Sequence, residues 1–276
     1  MIKDEKLFKD LDLSSLRMIC TGGEPWTEKP WKWLFEFIGK SKVPIMNSAG
    51  GTEVSGSILH CCLHRPFKVG SFNAPIPGMS ADIVDSNGNT VTEDHLGELV
   101  MRKSSIGLTK GLWEDDKRYL ENYWKVIENF WVHGDLASKD KDGHWYLHGR
   151  SDDTIKVSGK RIGPSELESV IVKSGKAKEV AAVGIPDANK GSKIILSIVP
   201  AENNDQKESF FEDLVIKDLG KSFKPDKVIF VKDLPKTRNM KIMRRVIKSC
   251  LANQDPGDLS TLLNPESVEE IRSHAI

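Results

Sequence analysis

The stretch Gly149-Arg150-Ser151-Asp152-Asp153-Thr154-Ile155-Lys156-Val157-Ser158-Gly159-Lys160-Arg161-Ile162-Gly163-Pro164-Ser165-Glu166-Leu167-Glu168 decides how this 276-residue chain is organised. It opens on polar, aperiodic residues at 150–153, the best domain boundary in the sequence. Ile155-Lys156-Val157 then reads as a strand. Pro164-Ser165-Glu166 opens a helix with Leu167, Val170 and Ile171 on one face and a stop at Gly175. Between them, residues 152–163 are too charged for a core and too rich in turn residues for a generic loop.

Downstream, residues 180–185, 194–199 and 228–231 read as strands. A polar loop at 202–206 leads to a helix bearing Phe210, Phe211, Leu214, Val215 and Leu219. Ile242, Val246, Ile247, Cys250 and Leu251 form the apolar stripe of a last helix. The sum is an α+β unit with its own core over residues 152–276. Upstream, Thr27 is an N-cap for a helix through Trp31, Leu34, Phe35 and Ile38. Residues 43–46 suit a buried strand ending at Asn47-Ser48-Ala49-Gly50-Gly51. Residues 81–84 and 97–101 pair around a turn at Asp85-Ser86-Asn87-Gly88. Residues 130–133, 136–138 and 145–147 read as three short strands, separated by Gly134-Asp135 and by a hairpin turn at 140–143.

Lys+Arg and Asp+Glu both total 40, so the net charge is zero. That argues against a general nucleic-acid or membrane-surface binder, since both need a basic excess. No apolar run approaches the roughly 20 residues that span a bilayer. Residues 1–5 lack a secretory signal pattern, and Cys20, Cys61, Cys62 and Cys250 form no disulfide framework. A soluble cytoplasmic protein is the expectation. The charge is uneven, however. Residues 236–248 hold Lys236, Arg238, Lys241, Arg244, Arg245 and Lys248 and no acid, so an anion is expected to meet that segment.

Two common phosphate motifs fail on inspection. Gly39-Lys40-Ser41 imitates a P-loop end, but Leu34 stands where its first glycine belongs, and no Gly-x-Gly-x-x-Gly follows a strand. His60-Cys61-Cys62-Leu63-His64 lacks the distant second pair of a zinc site. Four other segments carry more chemistry. Thr21-Gly22-Gly23-Glu24-Pro25 joins a strand to a helix with glycines that admit a flat ligand. Gly50-Gly51-Thr52-Glu53 offers backbone N–H groups, a hydroxyl and a carboxylate suited to Mg²⁺ beside phosphates. His133-Gly134-Asp135 and His148-Gly149-Arg150 supply a carboxylate for ribose hydroxyls and a guanidinium fork for phosphate. Residues 234–241, Leu-Pro-Lys-Thr-Arg-Asn-Met-Lys, form a basic loop before an amphipathic helix.

Taken in order, these segments resemble the adenylate-forming enzymes, within them the acetyl-CoA synthetase branch of AMP-forming acyl-CoA synthetases. Residues 111–124 and Gly257-Asp258-Leu259-Ser260-Thr261-Leu262 match that branch, and the resemblance runs from about Leu16 to the C-terminus. It implies an α/β and α+β architecture: residues 1–151 are the β-rich end of a large AMP-binding domain, and residues 152–276 a small mobile domain. It also implies a two-step reaction in which a carboxylate and ATP give acyl-AMP, which then yields a thioester with coenzyme A. Carried over by motif, Gly23, Glu24, Pro25 and Asn47 would line the adenine pocket, with Gly51 beside the nucleotide. Thr52 would contact the α-phosphate, Glu53 would hold Mg²⁺, and Asp135 would bind the ribose, with Arg150 near it. Asp152 would be the hinge, Arg161 would reach the phosphate, Ser158 and Gly159 would face coenzyme A, and Lys241 would be the adenylation lysine.

Three departures stand out. The family's upstream phosphate loop is absent, so a missing N-terminal segment of the same enzyme is implied, and residues 1–276 alone are expected to adenylate weakly or not at all. Gly50 replaces the tryptophan that closes the acyl pocket in acetyl-CoA synthetases, which implies a short- to medium-chain acyl substrate. Asn239-Met240 replaces the usual Ser-Gly before the lysine and stiffens that loop. A carrier-protein-loading adenylation domain and a non-catalytic remnant of the fold are the alternatives.

Overall fold

A computed structural model describes residues 6–202 and 205–276; residues 1–5 and Asn203-Asn204 of the polar loop lie outside the described residues. The chain separates between His148 and Gly149 into two units.

In the first unit, α1 (Lys6–Lys9) precedes β1 (Ile19–Gly22), and α2 (Glu28–Trp33) carries the chain to β2 (Ile45–Gly51). β1 and β2 pair in parallel, Ile19 beside Ile45. Thr27 is the N-cap of α2 by its extended backbone, though its side chain makes no capping bond. After Trp33 the helix widens into a π-turn over Leu34–Ile38. β2 begins at Ile45 and runs on through Asn47-Ser48-Ala49-Gly50-Gly51, residues that the sequence placed after the strand. Antiparallel pairing with β3 (Gly56–His60) accounts for the extension, and β3 pairs in turn with β4 (Ala74–Pro75).

A second sheet orders β5 (Ala81–Val84), β6 (Gly97–Met101), β7 (Trp131–Lys139) and β8 (Trp145–Arg150) consecutively, with α3 (Asp116–Tyr119) before β7. The two strands expected at 130–133 and 136–138 are one strand. Val100 pairs with Val132 and Glu98 with Leu136, so β7 spends four residues where β6 spends two. The surplus is a bulge at His133-Gly134-Asp135 that keeps the ladder on both sides while redirecting these side chains. Leu59, Phe72, Leu99, Met101 and Trp131 fill one core that reaches both sheets.

The second unit begins with the hairpin β9 (Ile155–Val157) and β10 (Lys160–Ile162), then α4 (Pro164–Lys173), β11 (Ala177–Asp187), β12 (Gly191–Pro200), α5 (Glu208–Leu219), β13 (Lys227–Phe230), α6 (Arg244–Leu251) and α7 (Glu266–Arg272). β11, β12 and β13 form one sheet, and β12 divides its side chains by period two. Ile194, Leu196 and Ile198 join a core with Leu167, Ile171, Phe211 and Val215. Ile195 and Val199 join another with Val246, Ile247, Cys250, Leu251, Val268 and Ile271. A sheet covered by helices on both faces follows. The helix expected to be last is followed by α7, which the sequence reading did not include. Ile155, Val157 and Ile162 enter the first of these cores, so the deciding stretch is rooted in the second unit while Lys156 and Arg161 face outward.

Candidate active site

In the first unit the candidate residues cluster at the carboxyl ends of the parallel strands, where open α/β sheets place ligands. Asn47 on β2 is buried, and its Oδ1 accepts from Thr21 Oγ1 at 3.2 Å. Thr21 in turn accepts from the Trp26 indole at 3.1 Å. The Asn47 Nδ2 is buried with no hydrogen-bond partner. An orphaned buried donor costs about 1–3 kcal/mol, which a ligand acceptor would recover. Gly23, Glu24 and Pro25 lie exposed on the loop that leaves β1.

Gly51 and Glu53 are brought to the β7 bulge. A Cβ on Gly51 would stand 3.1 Å from Glu53 Oε2 and 3.3 Å from His133 Cε1. His133 Nε2 lies 3.2 Å from Asp135 Oδ2. Tyr123, which the sequence reading carried only as a branch marker, donates to Glu53 Oε1 at 3.1 Å and stacks on Trp131 with ring centroids 5.2 Å apart. Seventy residues separate Tyr123 from Glu53, and no local periodicity reveals such a pair. Thr52 is exposed in the short 3₁₀ turn after β2.

Gly50 has a constraint of its own. A Cβ there would meet the Gly56 carbonyl oxygen at 2.1 Å and Ser57 Cα at 2.5 Å. The close approach of β3 therefore demands glycine, and a tryptophan at this position requires β3 to move.

His60-Cys61-Cys62-Leu63-His64 is stapled into the first unit. Cys61 is buried, which pushes its thiol pKa up, and Asn73 binds the Cys62 N–H at 2.6 Å and the Cys62 carbonyl at 3.0 Å.

In the second unit, Arg150 Nε donates to Asp152 Oδ1 at 3.1 Å, and the Arg150 carbonyl accepts from Thr154 Oγ1 at 3.4 Å. Burial raises the pKa of Asp153, and the neighbouring Asp152 carboxylate raises it further. Ser158 (φ 49°) and Gly159 (φ 82°) are both left-handed, between the paired residues Val157 and Lys160. That makes them the two-residue tip of a tight hairpin, exposed, with Arg161 exposed on the returning strand.

The basic segment, expected to meet an anion, spends several of its cations on the protein's own acceptors. Lys236 is buried and bonded to Glu179 at 2.6 Å and Asp233 at 2.5 Å. Burial lowers its pKa, but these carboxylates outweigh that and hold it raised. Arg244 forks onto Glu168 through Nε at 2.9 Å and a terminal nitrogen at 2.8 Å. Arg245 donates to the carbonyls of Pro256 and Asp258. Internal acceptors thus occupy half of the six cations. Lys241 remains exposed on a turn closed by Thr237 N–H to Lys241 O at 2.9 Å and Met240 N–H to Thr237 O at 2.8 Å. The segment that matched as Gly257 to Leu262 braces this turn: Leu262 bridges Thr237, and Leu263 N–H reaches Lys236 O at 2.8 Å.

Known proteins resemble this chain over most of its length. Residues 1–113 match the model of the AMP-binding enzymes, and residues 166–241 match the model of the AMP-binding enzyme C-terminal domain. The acetyl-coenzyme A synthetase of Pyrobaculum arsenaticum is 38% identical over 270 residues, 95% of this chain and 40% of that protein. The acetyl-coenzyme A synthetase of Methanothrix soehngenii is also 38% identical, over 94% of this chain and 40% of its own length. This chain thus spans about 40% of the length of these relatives. The acetoacetyl-CoA synthetase from Streptomyces lividans superposes with a TM-score of 0.83 at 22% identity, over 96% of this chain and 42% of that one. The anthranilate CoA ligase AuaEII, solved with anthranoyl-AMP, gives 0.70 at 27% identity, over 86% of this chain and 45% of that one. The chain belongs to the AMP-binding, adenylate-forming enzyme family.

Proposed function

We propose that this chain supplies part of the nucleotide site and the mobile domain of an AMP-forming acyl-CoA synthetase. The reaction joins a short- to medium-chain carboxylate to ATP, releasing pyrophosphate, and passes the acyl group from acyl-AMP to the thiol of coenzyme A. The observation that carries this reading is Lys241, exposed at a braced turn while Lys236, Arg244 and Arg245 are held by internal acceptors. As the carboxylate attacks the α-phosphate, negative charge grows on the phosphoryl oxygens and the leaving pyrophosphate. A fixed ammonium aimed there stabilises the transition state without reorganising.

The remaining residues bind and orient. Gly23, Glu24, Pro25 and Asn47 take the adenine, with the orphaned Asn47 amide offering it a donor. Gly51 and Thr52 approach the phosphates, and Arg161 reaches them from its strand. Asp135, supported by His133, takes the ribose hydroxyls beside Arg150. Asp152 serves as the hinge between half-reactions, and the exposed Ser158-Gly159 tip faces coenzyme A. Glu53, oriented by Tyr123, suits Mg²⁺. No group of three or more metal-capable side chains gathers among the described residues, and one carboxylate plus substrate phosphates is a usual Mg²⁺ environment. The ion would neutralise charge on the triphosphate.

Because the chain covers 40% of the Pyrobaculum relative, the test joins it to the remaining N-terminal part of that relative. Carboxylate-dependent ATP–pyrophosphate exchange is expected, and Lys241→Ala should lower it by about 10²–10³, the effect of removing one preorganised donor. Transfer from supplied acyl-AMP to coenzyme A should survive. Exchange that ignores Lys241→Ala overturns the reading. The same assay across acetate, propionate, butyrate and hexanoate reads the acyl range. The absence of a tryptophan side chain at Gly50 is the basis for expecting activity beyond acetate, and strict preference for acetate would refute it.

A further inference from the structure

We propose that Arg244 is a positioning residue for Lys241, one that ties the lysine-bearing turn to the segment at 150–153. The inference rests on the assignment of Lys241 above and assigns Arg244 a role distinct from phosphate binding, the role its charge first suggests.

The turn has two legs, and both end in ion pairs, one on the buried Lys236 and one on the half-buried Arg244. On the incoming leg, Lys236 is held by Asp233 and Glu179, and its N–H donates to Asn264 Oδ1 at 3.0 Å. The legs pair through Lys236 and Ile242, and Met243 N–H closes them onto Pro235 O at 2.8 Å. On the outgoing leg, Arg244 stands three residues after Lys241 and opens α6. Its fork is filled by Glu168 of α4, whose Oε1 also accepts the Ala182 N–H of β11 at 2.9 Å. Helix α4, strand β11 and helix α6 therefore meet at one carboxylate, that of Glu168.

Arg244 itself lines a small cleft with Asp153, Thr154, Gly184, Ser192 and Lys248. Asp153 adjoins Asp152, and its carboxyl lies in the fields of both Arg244 and Glu168. Asp153 and Arg244 thus face one cleft, which places the 150–153 segment beside the first turn of α6 and the base of the Lys241 turn. A guanidinium gripped at two nitrogens by a carboxylate has a fixed plane and direction. A fork so oriented makes the second unit carry Lys241 as a rigid attachment when the unit moves, instead of leaving it on a loose loop.

Hydrogen exchange on the full chain tests this at the turn itself, through the amides of Thr237, Met240 and Lys241. Arg244→Met should speed their exchange by about tenfold or more, beyond the change in global stability, because local opening is no longer resisted by the fork. Val215→Ala, in the core on the other face of the sheet, serves as a control of matched global destabilisation. It should move these amides by less than about threefold. Arg244→Lys keeps the charge without the planar fork and should fall between. In the joined enzyme, Arg244→Met should lower the exchange kcat by about 30-fold while the KM for ATP stays within about threefold, the pattern of a lost transition-state contact rather than lost binding. Equal acceleration in the Val215→Ala control, or none in Arg244→Met, overturns the proposal. Failure of Lys241→Ala to affect exchange would instead refute the functional reading and leave the result at the turn unaltered.

Discussion

Met240 shows how much one side chain can strain the site. It sits at φ 63°, in the left-handed region that glycine tolerates and methionine does not, directly before Lys241. The sequence comparison already marked this position as one where the family carries glycine, but only the backbone angle gives the departure a physical cost. A non-glycine residue held there costs roughly 1–2 kcal/mol. Glycine regains part of that in unfolded-state entropy, about 0.5–1 kcal/mol. Met240→Gly is therefore expected to stabilise the second unit by about 0.5–1 kcal/mol, read from the midpoint of urea unfolding at constant slope. Unchanged or lowered stability would show that the turn carries no such strain. Asn47 is the opposite case. Only the family resemblance singled it out, and the orientation that leaves its amide nitrogen unpaired depends on Thr21, 26 residues before it, a contact no local pattern encodes.

At the scale of elements, the turn between β7 and β8 is pinned by charge. Lys68 donates to Asp140 at 2.6 Å and Asp142 at 2.5 Å, and Asp140 also accepts from the His144 N–H at 2.8 Å and the Tyr146 hydroxyl at 3.2 Å. Burial alone would raise the Asp140 carboxyl, but these donors lower it from 3.8 to about 2. A carboxyl whose folded pKa is depressed contributes stability that is present above its unfolded value and lost as pH falls through the folded one. That window runs from about pH 4 down to about pH 2. Asp140→Asn should flatten the acid side of the stability curve of the first unit in that window and lower stability at neutral pH. An acid limb identical to the wild type would remove Asp140 from the account. The hairpin itself was readable, since Asp140-Lys141-Asp142-Gly143 is turn chemistry. Its ion pair with Lys68 was not, nor was the bulge at Gly134, where the turn-like residues His133-Gly134-Asp135 imitate a strand end. The ladder to β6 overrides that local signal, because register is settled across strands and not along one. The same reason explains β2 running through its glycines. In the basic segment, the sequence reading counted charges without seeing Glu168 and Glu179, which are supplied by other elements.

Over the whole molecule, the two units differ in how completely their sheets are covered. In the second, β11, β12 and β13 carry apolar residues on both faces, and α4 with α5 and α6 with α7 bury them. The stretch at 155–162 contributes Ile155, Val157 and Ile162 to that same core, so the unit gains its own N-terminal edge. In the first unit, β1 alternates half-buried and exposed residues, whereas strands of a parallel sheet are ordinarily buried on both faces. Met18, Ile106 and Trp113 are also exposed there, Ile106 and Trp113 almost wholly. A unit with closed cores should fold without its neighbour, and one with an uncovered parallel edge should depend on what covers it. Residues 149–276 expressed alone are therefore expected to unfold in one cooperative transition, with urea and near-ultraviolet circular dichroism midpoints coinciding. That transition should match one step in the unfolding of the full chain. The remaining step should belong to the first unit and should rise in midpoint when the N-terminal part of the Pyrobaculum relative is joined to it. A second unit that melts gradually, or a first unit indifferent to that addition, would contradict this division of stability. The boundary near residue 150 would then divide the structure without dividing its stability, and the domain motion assigned to Asp152 would lose its mechanical basis.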